Sequence, residues 1–166
     1  EPALDRLCRA LVDEAELPEA AAAGIAANIV RLLANRLRLY ADRANFSEIA
    51  AQQIVAPLVI TGLPRSGTTV LHALLAQDPA VRSPMKWEVD SPSPPPRTAT
   101  LRSDARIAAS QAQVAALPTE FRAMHTVGAE LPEECNSIAM MAFLSPNFAA
   151  SAHIPGYMNW LLNDAD

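Results

Sequence analysis

The residues from Pro64 to Thr69, Pro-Arg-Ser-Gly-Thr-Thr, combine the chemical groups that bind an anion. Backbone N–H groups at the start of a helix have no partner within the helix, and the helix dipole adds partial positive charge there. A phosphate or sulfate group is stabilised in that environment. Ser66, Thr68 and Thr69 add hydroxyl donors, and Arg65 adds a full charge with a bidentate donor fork. The stretch predicts an anion-binding loop.

The segments on either side of this loop predict a strand before it and a helix after it. Leu58–Thr61 is a short apolar run with β-branched residues, bounded by Pro57 and Gly62, and is typical of a buried strand. After the loop, apolar residues recur at helical spacing on one face, namely Val70, Leu71, Leu74 and Leu75. The Asp78-Pro79 pair ends that helix. The loop would then join the end of a strand to the start of a helix.

The spacing of Gly62 and Gly67 also resembles the nucleotide-binding pattern G-x-x-x-x-G-K-[ST]. Thr68 occupies the lysine position of that pattern, and Thr69 occupies the Ser/Thr position. A nucleotide hydrolase needs the lysine on its β- and γ-phosphates. A nucleotide kinase or hydrolase is therefore the weaker alternative, and a non-catalytic anion-binding module is a second one.

All six positions of Pro-Arg-Ser-Gly-Thr-Thr match the pattern Pro-[Lys/Arg]-[Ser/Thr]-Gly-Thr-[Thr/Ser], and over Pro57–Leu75 the chain resembles bacterial sulfotransferases. The resemblance implies a cofactor, 3′-phosphoadenosine 5′-phosphosulfate, with adenosine 3′,5′-bisphosphate as product and no metal. It implies that the cofactor is held by Pro64, Arg65, Ser66, Gly67, Thr68 and Thr69. It also places Arg65 at the catalytic Lys/Arg position of the family.

Sulfuryl transfer also needs a base near the acceptor hydroxyl. Pro132-Glu133-Glu134-Cys135 resembles a Pro-Glu-Glu element of these enzymes and predicts the first turn of a helix. Successive helical residues project about 100° apart, so at most one of Glu133 and Glu134 would face a site. Both could instead be acids that only stabilise a helix start. His125 is the other candidate base, and its alternative role is a hydrogen-bonded structural residue.

Trp87 is a candidate for the acceptor pocket, because its ring supplies a large flat apolar surface. As a lone tryptophan it is more often part of a core. The resemblance implies an acceptor that is a hydroxylated small molecule or lipid, or an amine. The sequence does not identify that acceptor, and it does not indicate an oligomeric state.

Composition narrows the class of protein further. The 166 residues are 51% hydrophobic and carry a net charge of −5, so no overall attraction to nucleic acid or to an anionic membrane is expected. No signal peptide or membrane-spanning run is evident, which predicts a cytoplasmic protein. Lys86 is the only lysine against twelve arginines, and proline occurs 14 times, which favours a GC-rich bacterial source.

These observations predict an α/β fold, a three-layer P-loop-like parallel sheet flanked by helices. Residues 1–50 would form a helical N-terminal cover, with helices over 3–16 and 19–43, and residues 51–166 the N-terminal half of a sulfotransferase domain. Only Leu58–Thr61 and Val81–Ser83 read as strands, too few for a sheet of usual size. The arginine and serine that hold the 3′-phosphate in the family have no match here. We therefore expect an N-terminal fragment of a longer enzyme that alone exposes apolar surface, binds the cofactor weakly and is inactive.

Overall fold

The computed structural model describes residues 2–63 and 66–165. Helices dominate these residues, and short loops or extended segments join them. The α-helices are α1 (Pro2–Asp13), α2 (Glu19–Asn45), α3 (Ser47–Ala51), α4 (Thr68–Leu75), α5 (Lys86–Asp90), α6 (Arg106–Ala115), α7 (Thr119–Met124), α8 (Cys135–Ala139) and α9 (Pro155–Asn163). Three 3-10 helices cover Thr98–Thr100, Met140–Ala142 and Pro146–Ala150.

The predicted three-layer parallel sheet is wrong for this chain. Within residues 2–63 and 66–165, the β-pairing consists of one isolated antiparallel bridge between Met85 and Pro132. Leu58–Thr61 and Val81–Ser83, both predicted as strands, lie in segments without regular secondary structure instead. The chain is predominantly helical where the structure describes it, so the α/β class assigned from the sequence is corrected to α.

The physical reason is that a strand exists only when a neighbour supplies hydrogen bonds to its backbone. Leu58–Thr61 has the composition of a buried strand, but no described segment pairs with it. Leu58 is 69% exposed and Val59 is 71% exposed, so neither of these two side chains is covered by a packed neighbour. Local composition predicted a strand, but it cannot show whether a partner strand exists.

The chain divides into two compact units. The first, called the terminal unit, comprises the residues up to Leu37 together with those from Glu134 onward. The second, called the middle unit, comprises Arg38–Glu133. The helix α2 contributes residues to both. Helices α1 and α2 occur where the sequence predicts them.

The terminal unit has an aromatic core. Leu7 of α1 and Tyr157 of α9 are fully buried, as is Phe143. The Tyr157 hydroxyl donates a hydrogen bond to the Phe143 carbonyl at 2.8 Å, and its ring meets that of Phe148 edge to face, with centroids 6.1 Å apart. Glu14 accepts a hydrogen bond from the Gly156 N–H at 2.7 Å. These contacts fix the start of α9 beside the end of α1.

The middle unit is organised around α5 and α6. Trp87, Glu88 and Val89 of α5 are buried, as are Ser110 and Val114 of α6. The Ser110 hydroxyl donates a hydrogen bond to an Asp90 carboxylate oxygen at 2.7 Å, which joins the two helices. This unit also contains α4 and the loop before it, the segment with the predicted chemistry. No helix among the described residues is both long and apolar enough to cross a membrane.

Candidate anion-binding site

Helix α4 begins at Thr68, as the sequence predicts, and Gly67 precedes it as the N-cap. Gly67 has φ 89° and ψ 11°, the left-handed conformation that glycine adopts without steric cost. No side chain of the described residues caps this helix. The first N–H groups of α4 therefore lack a side-chain acceptor and have no partner within the helix. This arrangement can accept an anion.

Ser66 stabilises the loop through its own hydroxyl. Its Oγ donates a hydrogen bond to the Leu63 carbonyl at 2.6 Å, and its backbone N–H donates to the same oxygen at 3.2 Å. The hydroxyl proton is thus used within the loop. In this conformation Ser66 holds the turn, and the hydroxyls of Thr68 and Thr69 are the side-chain donors that the described loop offers to an anion.

A glycine is favoured at position 62 because neighbouring side chains lie close to it, not because its backbone angles exclude other residues. A Cβ atom at this position would lie 2.8 Å from the Ser66 Oγ and 3.1 Å from the Thr68 Cγ2. The first distance is below any ordinary contact, so a larger residue would displace the hydroxyl that bonds to Leu63. The two glycines of the motif therefore serve different purposes, close packing at Gly62 and a positive φ at Gly67.

Two of the predicted cofactor-binding residues, Pro64 and Arg65, lie outside the described residues. Arg65 is also the predicted catalytic cation, so its role stays a prediction. Around it, Ser66 and Gly67 are exposed, and Thr68 and Thr69 are half-buried. The described part of the loop is therefore accessible to a ligand.

The apolar residues beside the loop are exposed as well. Val70 is 64% exposed and Leu74 is 65% exposed, and no residue of α4 is buried. Before the loop, Val59 and Leu63 are similarly exposed. The loop is thus held by local hydrogen bonds, not by packing of the segments that flank it.

The structure adds a contact that the sequence did not predict. The His72 Nε2 and the Ser83 Oγ lie 2.6 Å apart, which ties α4 to the segment that follows it. His72 is half-buried. No motif relates these two residues, so only the folded chain could reveal the contact.

Two segments far apart in sequence lie side by side in the middle unit. The Lys86 N–H donates to the Leu131 carbonyl at 3.0 Å, and the Glu133 N–H donates to the Pro84 carbonyl at 3.0 Å. The Lys86 ammonium lies 3.5 Å from a Glu133 carboxylate oxygen and 2.9 Å from Asp90. One predicted base, Glu133, therefore lies against the segment that contains Trp87.

The three candidate bases occupy different environments. The Glu133 side chain is 14% exposed, whereas Glu134 is exposed and forms the N-cap of α8. Helix α8 begins at Cys135, so the prediction that both acids lie in its first turn is wrong. His125 follows α7, is half-buried, and its ring centroid lies 5.7 Å from that of Phe121. Glu133 and His125 belong to the same unit as the loop, and Glu134 belongs to the terminal unit.

Trp87 is fully buried, and its ring packs against Arg106. The Arg106 guanidinium carbon lies 4.8 Å from the ring centroid, a cation–π contact. The indole Nε1 is buried and has no hydrogen-bond partner among the described residues. In this structure the ring contributes to the core of the middle unit, and its predicted part in an acceptor pocket stays a prediction.

Arg106 is a structural cation that no sequence motif identifies. Its Nε and Nη2 donate to the two Asp104 carboxylate oxygens at 2.8 and 2.7 Å. Its Nη1 donates to the carbonyls of Ser91 and Pro94. Hydrogen bonding from Arg106 lowers the pKa of the Asp104 carboxyl to about 2, and Asp104 in turn raises the pKa of Arg106.

A second ion pair fixes the start of α5. Glu88 is 6% exposed, and one of its carboxylate oxygens accepts a hydrogen bond from the Met85 N–H at 2.8 Å. The other oxygen pairs with Arg82, whose side chain is 61% exposed. The buried carboxylate thus satisfies a free N–H at the helix start, and an exposed arginine neutralises it.

Comparison with known protein families shows which family the chain belongs to. The profile described as "Sulfotransferase family" matches residues 57–165, which begin before the loop and extend through α9. That match covers more than half of the chain, so the chain belongs to the sulfotransferase family. The family resemblance read from the Pro-Arg-Ser-Gly-Thr-Thr motif is confirmed. No protein in a search of curated sequences matches the chain.

Two solved structures are similar to the chain over nearly its whole length. Sulfotransferase STF1 from Mycobacterium tuberculosis H37Rv is 29% identical, with a TM-score of 0.82 over 98% of this chain. Sulfotransferase STF9 from Mycobacterium avium is 28% identical, with a TM-score of 0.86 over 99% of this chain. The chain spans 46% and 43% of those two proteins, less than half of their length. The similarity includes α1 and α2, which the family profile does not cover.

Proposed function

We propose that the loop of residues 62–69 binds the 5′-phosphosulfate end of 3′-phosphoadenosine 5′-phosphosulfate, for transfer of its sulfuryl group to a hydroxyl or amine acceptor. The observation that carries the proposal is the start of α4. In a member of the sulfotransferase family, the Pro-Arg-Ser-Gly-Thr-Thr motif precedes a helix whose N-terminus has no side-chain cap. Oxygens of the phosphosulfate would accept from those N–H groups and from the Thr68 and Thr69 hydroxyls.

In this reaction the bond between sulfur and the bridging oxygen of the phosphosulfate breaks, and a bond forms between sulfur and the acceptor atom. Negative charge develops on the bridging oxygen, and adenosine 3′,5′-bisphosphate leaves. Arg65 would stabilise that charge, because a guanidinium stays protonated and donates two parallel hydrogen bonds. The proton of the acceptor would pass to a base, for which Glu133, Glu134 and His125 are the candidates.

The surroundings of Glu133 support its candidacy without deciding it. Its carboxylate lies beside the Lys86 ammonium, and its backbone is bonded to Pro84 within the same unit as the loop. In an assay with a verified acceptor, substitution of the base should reduce turnover by about 10²–10⁴-fold. Glu133→Gln, Glu134→Gln and His125→Ala form a matched set, and the base is the residue whose loss lowers turnover while cofactor binding persists.

A thermal-shift comparison tests the loop itself. Adenosine 3′,5′-bisphosphate should raise the unfolding temperature, and raise it further as its concentration increases, because it binds the folded state only. ATP with magnesium should have a smaller effect, since Thr68 replaces the lysine that nucleotide hydrolases use. A larger shift with ATP would favour a nucleotide kinase or hydrolase and contradict the proposal.

A conservative substitution tests whether the Thr68 hydroxyl contributes to the binding of adenosine 3′,5′-bisphosphate. Thr68→Val keeps the β-branched shape at the first position of α4 and removes only the hydroxyl, so it should weaken adenosine 3′,5′-bisphosphate binding. Thr98→Val makes the same change at an exposed site in a 3-10 helix and serves as the control. Equal affinity in the wild type and Thr68→Val would remove Thr68 from the site.

A further inference from the structure

The terminal unit contains a cavity that the proposed sulfuryl transfer does not use. Its volume is about 370 Å³, within the range of small-molecule sites. Leu11 of α1, Ile25 of α2 and Phe148 contribute apolar surface to its wall. Every residue that lines it belongs to the terminal unit, whereas the loop of residues 62–69 belongs to the middle unit. The cavity is therefore a separate feature of the fold.

Gly24 leaves part of this space open. It lines the cavity from within helix α2, a position where glycine is less favourable than alanine by roughly 1 kcal/mol. A Cβ atom placed on Gly24 would have no other atom within 4 Å. Packing with neighbouring residues therefore does not require the glycine. Its absent side chain widens the cavity at this point of the helix.

The polar groups at the cavity are all uncharged. Asn28, Asn147 and Ser151 are its polar lining residues, and none of the nine lining residues carries an ionisable side chain. The Asn28 Oδ1 accepts hydrogen bonds from Arg31 at 2.8 and 3.3 Å, which leaves the amide NH2 group of Asn28 as a donor. A charged ligand would lose hydration here, and none of the nine lining side chains carries a charge to compensate for that loss. The lining therefore favours a neutral molecule.

From these observations we infer that the cavity binds a neutral, mainly hydrocarbon molecule that carries a hydroxyl or carbonyl group. Its apolar part would contact Ile25 and Phe148, and its polar group would bond to the amides of Asn28 and Asn147 or to the Ser151 hydroxyl. The inference rests on the shape and chemistry of the terminal unit. It holds whether or not the loop of the middle unit binds a phosphosulfate.

A fluorescence titration with N-phenyl-1-naphthylamine, a neutral apolar probe with one N–H donor, tests the inference. Gly24→Leu fills the cavity from α2 and should weaken probe binding at least about tenfold, an effect that titration resolves easily. Ala23→Leu adds the same side chain at the adjacent exposed position of α2, outside the lining, and should stay within about twofold of the wild type. Circular dichroism and thermal unfolding of both variants show whether each is folded.

Displacement of the bound probe then tests the ligand class. Decan-1-ol should displace it, whereas decanoate, with the same chain length and a negative charge, should displace it poorly. The inference is overturned if the wild type does not enhance probe fluorescence, if folded Gly24→Leu binds like the wild type, or if Ala23→Leu loses as much affinity. Equal displacement by decanoate and decan-1-ol would overturn the assignment of a neutral ligand.

Discussion

Two parts of the middle unit are held in place in opposite ways. The loop segment, residues 58–75, is held in its described part, residues 58–63 and 66–75, mainly by contacts between near neighbours, such as those of Ser66 with Leu63. The Trp87–Arg106 cluster, consisting of Trp87, Glu88, Asp104 and Arg106, is held by residues distant in sequence. The Trp87 N–H donates to the Ala129 carbonyl at 3.1 Å, and Arg106 reaches the carbonyls of Ser91 and Pro94.

The side chains of the two parts also differ in how deeply they are buried. Trp87 is fully buried, whereas the large apolar residues of the loop segment, such as Val59 and Leu74, are mostly exposed. The anion-binding geometry therefore depends on local sequence, and the stability of the unit depends on the cluster. Substitutions in the loop segment should change binding with little effect on folding, and substitutions in the cluster should do the reverse.

Trp87→Ala should have the largest effect on stability. Removing a fully buried tryptophan side chain costs about 3–5 kcal/mol of unfolding free energy, and here it also removes the surface on which Arg106 packs. Leu74→Ala in the loop segment, where the side chain is 65% exposed, should change stability by less than about 0.5 kcal/mol. Urea titrations of the two variants measure the contrast. Equal destabilisation would mean that the loop segment is also part of the core.

The sequence predicts those features that depend on near neighbours. The start of α4 and the turn at Gly67 follow from residues within a few positions of one another, and the structure has both of them. The family resemblance was also predictable, because six consecutive residues carry it.

Most of the features that failed or were missed depend on distant residues, although the start of α8 at Cys135 is a local exception. A sheet requires partner strands, and apolar composition at Leu58–Thr61 cannot show whether they exist. The contact of His72 with Ser83 and the pairing of residues 84–87 with 129–133 have no signal in spacing or motif. Burial of Trp87 followed from that pairing, so its environment could not be read from the sequence.

Arg65→Ala tests the prediction that substitutions in the loop segment change binding with little effect on folding. It should weaken binding of adenosine 3′,5′-bisphosphate by about 10- to 100-fold, because a hydrogen bond to a charged group contributes about 1.5–3 kcal/mol. In an enzyme assay with a verified acceptor, turnover should fall at least about 100-fold. Unfolding free energy should change little, since loop substitutions outside a core rarely alter it.

Arg102→Ala is the control for Arg65→Ala, because it also removes one arginine of the middle unit. Arg102 is 79% exposed, and its guanidinium lies 3.9 Å from Glu130. Calorimetric titration should find wild-type affinity in this variant. A comparable loss in both variants would mean that net charge, not the motif, determines the binding.

The Trp87–Arg106 cluster should also give stability a specific dependence on pH. The Asp104 pKa is about 2 in the folded state against an ordinary value of 3.8, so its ionised form stabilises folding. That contribution is present above about pH 4 and is lost as the pH falls towards 2. The stability difference between the wild type and Asp104→Asn should therefore shrink over this interval, in urea titrations at successive pH values. A constant difference would show that the Asp104 charge does not matter.

The smallest predicted effect comes from the same glycine-to-alanine substitution at two positions, Gly67 and Gly24, where we expect opposite changes in stability. Gly67→Ala places a Cβ atom on a residue at φ 89°, which costs about 1–2 kcal/mol in the left-handed region, while no neighbouring atom lies within 4 Å of that Cβ. Backbone strain is therefore the sole cost, and the loop can relieve it by moving, so binding of adenosine 3′,5′-bisphosphate should weaken more than folding does. Gly24→Ala also adds a methyl group in open space, but inside helix α2, and should stabilise the chain by up to about 1 kcal/mol. Thermal unfolding of both variants measures the direction of each stability change, and a titration of adenosine 3′,5′-bisphosphate into each measures its binding. If Gly67→Ala binds as tightly as the wild type, the left-handed turn before α4 is not needed for the anion site.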